Sequence, residues 1–417
     1  MKTEPLATAD VIVVGAGIAG VCTAFELRHR GFDVAIIEQR FPAFAASGRN
    51  PGAVWLQLQR GGTELQLARA GVAMYQEYAD RIGTRFDLRT RGGLFFYETD
   101  AQHEVLVDYV ADRRAHGLTV DFVTRKQALK HAPLLPSTAI GAVYCAEDSQ
   151  VDSQRFVRAM AEACTEAGVK RFDNTAVLST IRRGDTVTGV RTVRGDVHGA
   201  GVVWATGAWA RDLEPEGITI PLQTARMGQI ITQPIDQRPS VVLHGPRGVA
   251  FCGALTALSS FRAELFAAPD PFAGVSTHQP DDGDGWTYDD CITHYPDGSL
   301  HIGSSVDVTG SLNPHISIRA TQAMIGTVID RYPTHAQSGV TALWAGLQST
   351  TPDGLPVVDR VDGSYVNVGH TSGIATGPIS GRILAQIIAG ERTEFADELR
   401  ADRNTLHVAA STERALP

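Results

Sequence analysis

Residues 10–20 read Asp10-Val11-Ile12-Val13-Val14-Gly15-Ala16-Gly17-Ile18-Ala19-Gly20, and the next apolar run, Val34-Ala35-Ile36-Ile37, closes on Glu38. An apolar strand, a glycine turn, a helix and a second strand ending in a carboxylate together specify a dinucleotide site. Gly15 permits the sharp turn, Gly17 lets backbone approach a pyrophosphate, and Gly20 lets the helix lie close on the strand. The helix start at Ile18 and Ala19 offers oriented N–H groups to phosphate. Glu38, at the tip of the second strand, is placed to accept from a ribose diol and to repel a further 2′-phosphate. The expected ligand is FAD or NAD, not NADP.

Working outward, the 417 residues, 20% of them charged, predict two or three folded domains rather than disorder. The net charge of −9 and four scattered lysines give no footprint for nucleic acid or an anionic membrane. Cys22, Cys145, Cys164, Cys252 and Cys291 show neither paired nor metal-type spacing, so neither a disulfide scaffold nor a metal site is expected, and a reducing cytoplasm fits. The apolar stretch Val11 to Phe25 is cut by glycines and followed by Glu26, Arg28 and Arg30, which predicts a buried strand and helix, not a membrane span.

Further along, Leu65, Ala68, Val72, Tyr75, Ala79 and Ile82 recur at helical spacing and predict a helix over Glu64–Ile82 ended by Gly83. A first excursion into a second domain follows, with strands at Leu94–Tyr97 and Val120–Val123 and a helix over Glu104–His116. Asp152 caps the next helix, Gly168 ends it, and the α/β rhythm returns through Val169–Phe172 and Ala176–Leu178 to the buried run Val202–Trp204. From Pro221 to Gly339 the chain is strand-rich again. Pro269–Trp286 is expected to form a long loop, a candidate lid, whose Asp281, Asp282 and Asp284 make a solvated acidic turn. A last helix is expected to start at Pro378 and end at Gly390.

Val11 to Gly20, Glu38, Ala46-Ser47-Gly48-Arg49-Asn50-Pro51-Gly52, Ala205-Thr206-Gly207, Thr351-Pro352-Asp353-Gly354 and Gly369 to Pro378 occur in this order. As a set they resemble the glycine oxidase and sarcosine oxidase branch of the D-amino-acid oxidase superfamily. The resemblance implies an α/β Rossmann-like FAD-binding domain from residues 1–84, 141–222 and 340–417. An α+β substrate domain with a mixed or antiparallel sheet would come from 85–140 and 223–339. It implies flavin contacts from Gly15, Ala16, Gly17, Ile18, Ala19 and Gly20, from Glu38, Gln39 and Arg40, and from Ala46, Ser47, Arg49, Asn50, Gly52, Ala53 and Val54. Val177 would meet the adenine, Ala205, Thr206, Gly207 and Trp209 would close over the dinucleotide, and Gly346, His370, Thr371, Ser372, Gly373, Ile374 and Ala375 would reach the flavin ring. Backbone N–H groups of that last loop would stabilise negative charge on the ring.

The activity implied is oxidation of an amino acid or secondary amine of the glycine or N-substituted glycine type, with imine hydrolysis and release of hydrogen peroxide from oxygen. A dehydrogenase that passes electrons to a quinone or carrier protein and a non-catalytic FAD-binding subunit stay open, as does a homo-oligomer. FAD is expected to be non-covalent, because Arg49-Asn50 and Gly346 stand where relatives place an attaching histidine or cysteine. Gln348 follows Trp344-Ala345-Gly346-Leu347 where glycine oxidases carry a carboxylate-binding arginine, and Thr371 stands near where they carry another. Arg49, Arg60, Arg226, Arg247 and Arg262 are the candidate replacements. If none lines the pocket, a larger secondary amine held by apolar and hydrogen-bonding contacts is expected. His301, where sarcosine oxidases place a lysine, either carries positive charge near the ring or is a satisfied core histidine. His301, Arg49 and Gln348 are thus the catalytic candidates, and His244, His294 and Tyr295 are further pocket candidates. Asp353 is expected to brace the fold.

Overall fold

The computed structural model describes residues 4–83, 86–249, 252–267, 286–308 and 311–411. The strand Ala7–Val14, whose last four residues are all buried, lies between Val34–Ile37 and Gly195–Trp204, parallel to both. Lys170–Phe172 extends this sheet on one side, and Ser364–Val368 with Val357–Val361 on the other. Strands buried on both faces need covering helices. Ile18–His29, buried over most of its length, covers one face together with Gly373–Ala389. The antiparallel ribbon Val177–Arg183 and Thr186–Thr192 projects from Gly195–Trp204.

The second sheet runs in the order Val340–Thr350, Gln223–Pro234, Ser299–Val308, Trp286–His294, Val242–His244, Gly93–Tyr97, Gly141–Cys145, Val120–Thr124. It is antiparallel except where Val242–His244 runs beside Gly93–Tyr97. Two of its strands lie on the other side of the boundaries expected from sequence. Gly141–Cys145 pairs with both Gly93–Tyr97 and Val120–Thr124, and Val340–Thr350 pairs along Gln223–Pro234. Strand pairing is a non-local property, and it draws these segments into the second sheet although their neighbours in sequence return to the first. Pro269–Trp286 falls outside the described residues apart from Trp286, which opens a strand.

Helix boundaries follow local chemistry. Thr99 caps Asp100–Ala115 by accepting from Gln102 N at 3.1 Å, so this helix starts four residues before the expected Glu104. Asp152 caps Ser153–Glu166 through Arg155 N at 3.0 Å, and Gly83 closes Thr63–Ile82 in the left-handed region. The C-terminal helix departs from expectation: it starts at Gly373, so Pro378 sits inside it. Proline brings no N–H to the carbonyl four residues back. That carbonyl, Ile374 O, is taken instead by the buried Tyr75 hydroxyl at 2.6 Å. Asp353 braces the fold as expected, accepting from Arg403 at 2.7 and 2.8 Å and from Thr405 at 2.7 Å.

The first and last helices approach more closely than side chains normally allow. A Cβ on Gly381 would stand 2.6 Å from Cys22 Cβ and 2.7 Å from its carbonyl carbon, and one on Gly377 would stand 2.7 Å from Ile18 Cγ2. Glycines four apart thus face Ile18 and Cys22, also four apart, and the two helix N-termini are drawn together. No helix among the described residues is long and apolar enough to cross a membrane.

Gly381→Val must separate these helices or strain both, and is expected to lower unfolding free energy by about 3 kcal/mol in a denaturant titration. Tyr75→Phe leaves the Ile374 carbonyl without its donor and is expected to cost about 1–3 kcal/mol in the same assay.

Candidate active site

A cavity of about 490 Å3 runs from the glycine turn, past the start of the C-terminal helix, to the face of the second sheet. Its first half is built by the opening motif. Gly15 has φ +106°, and a Cβ there would lie 2.4 Å from Ala205 O, so glycine is required at this turn. Ile18 N donates to Ser47 Oγ at 3.0 Å, which ties the helix start to the loop that follows the second strand. Glu38 is held from behind: Oε2 accepts from Ala16 N and Oε1 from Arg40 N, each at 2.8 Å. Burial pushes its carboxyl up, while the Ala16 and Arg40 amides oppose that rise. Two backbone donors leave several of the carboxylate's lone-pair sites for a ligand.

The cavity wall includes Gly15, Gly17, Ile18, Ala19, Glu38, Gln39, Ala46, Ser47, Arg49, Asn50 and Ala53 from the first segment. Val177, Ala205, Thr206, Gly207 and Trp209 close it from the middle of the chain, and Gly346, Gln348 and His370 to Ala375 complete it. Ala16, Gly20, Arg40, Gly52 and Val54 stand outside the wall. Ala16 and Arg40 act through the backbone bonds to Glu38, Val54 is core, and a Cβ on Gly52 would press on Val151 O.

Asn50 braces its own loop, donating to Ala46 O at 2.8 Å and Ser47 O at 3.0 Å and accepting from Gly52 N at 2.7 Å. Arg49 Nη1 donates to Ala345 O at 3.2 Å, and its guanidinium lies 4.7 Å from the Phe44 ring centre. Gln348 donates through Nε2 to Thr371 O, which ties the second sheet to the C-terminal loop. The buried Gln348 Oε1, Thr371 Oγ1 and Thr206 Oγ1 meet no hydrogen-bonding partner among the described residues. Buried polar atoms are normally satisfied. Orphans spread along a cavity that ends on two helix N-termini therefore fit a long ligand carrying phosphates at one end and a polar ring at the other.

The arginine candidates separate cleanly. Arg226 is buried and pairs with Asp307 across adjacent strands, with Nη2 2.6 Å from Oδ2. Arg60 pairs with Glu64 at 2.7 Å and donates to Asp353 O. Arg262 is exposed and donates to Ser259 O and Phe261 O, and Arg247 stands outside the wall, where its backbone N donates to Asp290. Among these candidates Arg49 alone lines the cavity.

His301 does not supply positive charge. It is 1% exposed, outside the cavity wall, and burial drives its pKa down to about 3. Its Nε2 faces Gln229 Oε1 at 2.8 Å, and Trp344 Nε1 donates to the same oxygen at 3.1 Å. The core-histidine alternative describes His301, with its buried Nδ1 left without a hydrogen-bonding partner among the described residues, and its neighbour Gln229 lines the cavity. His294 is contacted by Arg89, and with Tyr295 lies outside the wall.

Sequence reading missed several wall residues of the far half, among them Trp55, Met227, Gln229, Cys252, Asp289 and Cys291. One signal was available. Tyr288-Asp289-Asp290-Cys291-Ile292 places two acids inside a buried strand, one on each face. Asp290 meets Arg331, with Nη2–Oδ2 at 2.7 Å, while Asp289 faces the cavity and stands 2.8 Å from His244 Nε2.

A family model described as FAD dependent oxidoreductase matches residues 10–387, and the chain belongs to that family. It is 27% identical to a glycine oxidase of Pseudomonas aeruginosa over 397 residues, covering 91% of this chain and 94% of the relative. It is 23% identical to a D-amino acid dehydrogenase of Granulibacter bethesdensis, covering 92% and 96%. Among solved structures, glycine oxidase from Geobacillus kaustophilus aligns with a TM-score of 0.78 at 21% identity, covering 95% of this chain and 99% of that one.

These histidines differ in sign. His301 and His370, the latter lowered by burial to about 4, stay neutral in the fold while the unfolded chain binds protons below about pH 6.5, so their contribution to stability is lost as pH falls from there. For His244 burial opposes the charge, but Asp289 outweighs it and raises the pKa, so its contribution is lost as pH rises through its native value. Histidine-resolved NMR at pH 6 is expected to show neutral rings at positions 301 and 370 and a charged ring at 244.

Proposed function

We propose that this member of the family is an oxidase of an amino acid or secondary amine, of the glycine or N-substituted glycine type, with oxygen as electron acceptor and hydrogen peroxide as product. The observation that carries the reading is the convergence of two helix N-termini on one cavity, one beside Glu38 and the other facing the second sheet. FAD, when bound, supplies a ring that takes a hydride from the carbon next to an uncharged amine.

The chain's own residues bind, orient and exclude water. Gly17, at the first helix start, receives the pyrophosphate, and Glu38 accepts the ribose hydroxyls. Val177, Ala205, Thr206 and Gly207 enclose the adenylate half. N–H groups at the start of Gly373–Ala389 face negative charge at the far end, and with the Thr371 hydroxyl they provide the electrostatic stabilisation that amine oxidation requires. Attachment is non-covalent: a side chain at Gly346 would begin 2.6 Å from Arg49 O, which leaves no room for a tethering cysteine. Arg49, the one arginine candidate in the wall, would receive a substrate carboxylate. Trp55, Leu58 and Met227 keep the far half apolar.

The test is an anaerobic panel of glycine, sarcosine, longer N-carboxymethyl amines, proline analogues and D-amino acids mixed with the purified yellow protein, followed by an oxygen pulse. At least one amine should bleach the flavin band, and oxygen should restore it within the turnover time with stoichiometric peroxide. Bleaching without fast restoration assigns the chain to a dehydrogenase, as the D-amino acid dehydrogenase relative would have it. No bleaching by any amine contradicts the reading. Separately, Glu38→Arg is expected to weaken FAD binding at least about 100-fold, because a buried ribose acceptor is replaced by a bulky cation. Protein-bound flavin after gel filtration reads this out.

A further inference from the structure

The far half of the cavity contains a buried ion pair that the reaction above leaves unused. His244, 4% exposed, has Nδ1 2.6 Å from Gly245 O and Nε2 2.8 Å from Asp289 Oδ1. A carbonyl oxygen only accepts, so Nδ1 donates to Gly245 O and Nε2 is the ring atom that faces the carboxylate. Both residues line the cavity, and His244 is the one ionic partner of Asp289 among the described residues. The ring stands against one carboxylate oxygen, Oδ1, which has no aligned hydrogen-bond donor among the described residues. The other is left for a ligand in a cavity whose wall also includes Trp55, Met227, Cys252 and Cys291.

Arg49 stands elsewhere in the wall, stacked on Phe44 and bonded to Ala345 O. The two charged features offer a substrate two different partners. Arg49 suits a carboxylate, and the end marked by Asp289 suits a hydrogen-bond donor.

We propose that Asp289, paired with His244, is a specificity-determining residue that accepts an N–H or O–H from the part of the substrate beyond the reacting C–N bond. The substrate class is an N-substituted glycine or amino acid whose side group carries a hydroxyl or amino group. This rests on the amine-oxidising reading above. A substrate that leaves the buried oxygen without a donor loses the bond and still removes water from it, and sites of this design discriminate strongly against such analogues.

N-ethylglycine, N-(2-hydroxyethyl)glycine and N-(2-aminoethyl)glycine share one reacting group and differ only at the tip. Flavin-loaded wild-type and Asp289→Asn proteins are mixed anaerobically with each, reading the dissociation constant from perturbation of the flavin band and the rate from its bleaching. The wild type should bind the hydroxyethyl or aminoethyl compound at least about 10-fold more tightly than N-ethylglycine. In Asp289→Asn the aminoethyl advantage should collapse toward unity. Equal binding of all three by the wild type overturns the proposal, as does an aminoethyl preference that survives in the variant. Bleaching by other amines but by none of these three also overturns it, while leaving the amine-oxidising reading intact. If no amine bleaches the flavin, both fall together. Should the variant fail to load flavin, the wild-type series decides alone.

Discussion

The contact on which the site depends is the seating of Gly377 and Gly381 against Ile18 and Cys22. Without side chains at the glycines, the first and last helices cross at backbone distance, and a Cβ at either position would meet its neighbour at under 3 Å. Both helices have their N-termini on the cavity. Two partially positive ends are thereby fixed relative to each other by packing that cannot slide without opening a void or a clash. Thr63–Ile82 locks the same assembly from another side. A Cβ on Gly71 would stand 1.8 Å from Ala375 O, and Tyr75 satisfies the carbonyl that Pro378 leaves open. The last helix is thus held by segments from the first fifth of the chain, and the cavity exists only in the assembled fold.

Charge is distributed along this cavity with a consistent logic. At the glycine turn a carboxylate waits behind two helix-end and loop amides, which suits a diol beside a pyrophosphate. At the opposite end the second sheet sorts its buried charges into pairs. Arg226 meets Asp307 and Arg331 meets Asp290, which removes both arginines from substrate binding, and the His244–Asp289 pair faces the cavity. Buried pairs of this kind contribute little net stability but are costly to break singly. Their positions therefore define which polar groups a substrate can meet.

The opening motif, the interruption by a second domain and the cofactor were legible because they rest on local spacing: glycines at a turn, an acid ending a strand, apolar periods of helix or strand. Pro378 misled for a physical reason. Proline favours a helix start, and the hydroxyl that lets this one sit inside the helix comes from Tyr75, 299 positions before the Ile374 carbonyl it meets. Boundaries at Gly141 and Val340 slipped because a strand joins the sheet whose edge it can pair with, even when the adjoining chain belongs to the other sheet. The arginines were unreadable singly, since Arg226 is disqualified only by Asp307, 81 residues downstream. His301 was read from its strand register, but burial beside Gln229 decides its charge. Asp289 and Asp290 were the exception, a doublet of acids in an apolar strand that local reasoning could have flagged.

The central claim is that one FAD spans the two helix N-termini. An experimental electron-density map of the purified yellow protein tests it most directly. A pyrophosphate at the first helix start, against the Gly17 amide, and a ring edge against the amides of Gly373 and Ile374 are expected, with no covalent link to the chain. A flavin lying elsewhere, or a ring turned away from the start of the C-terminal helix, would contradict it.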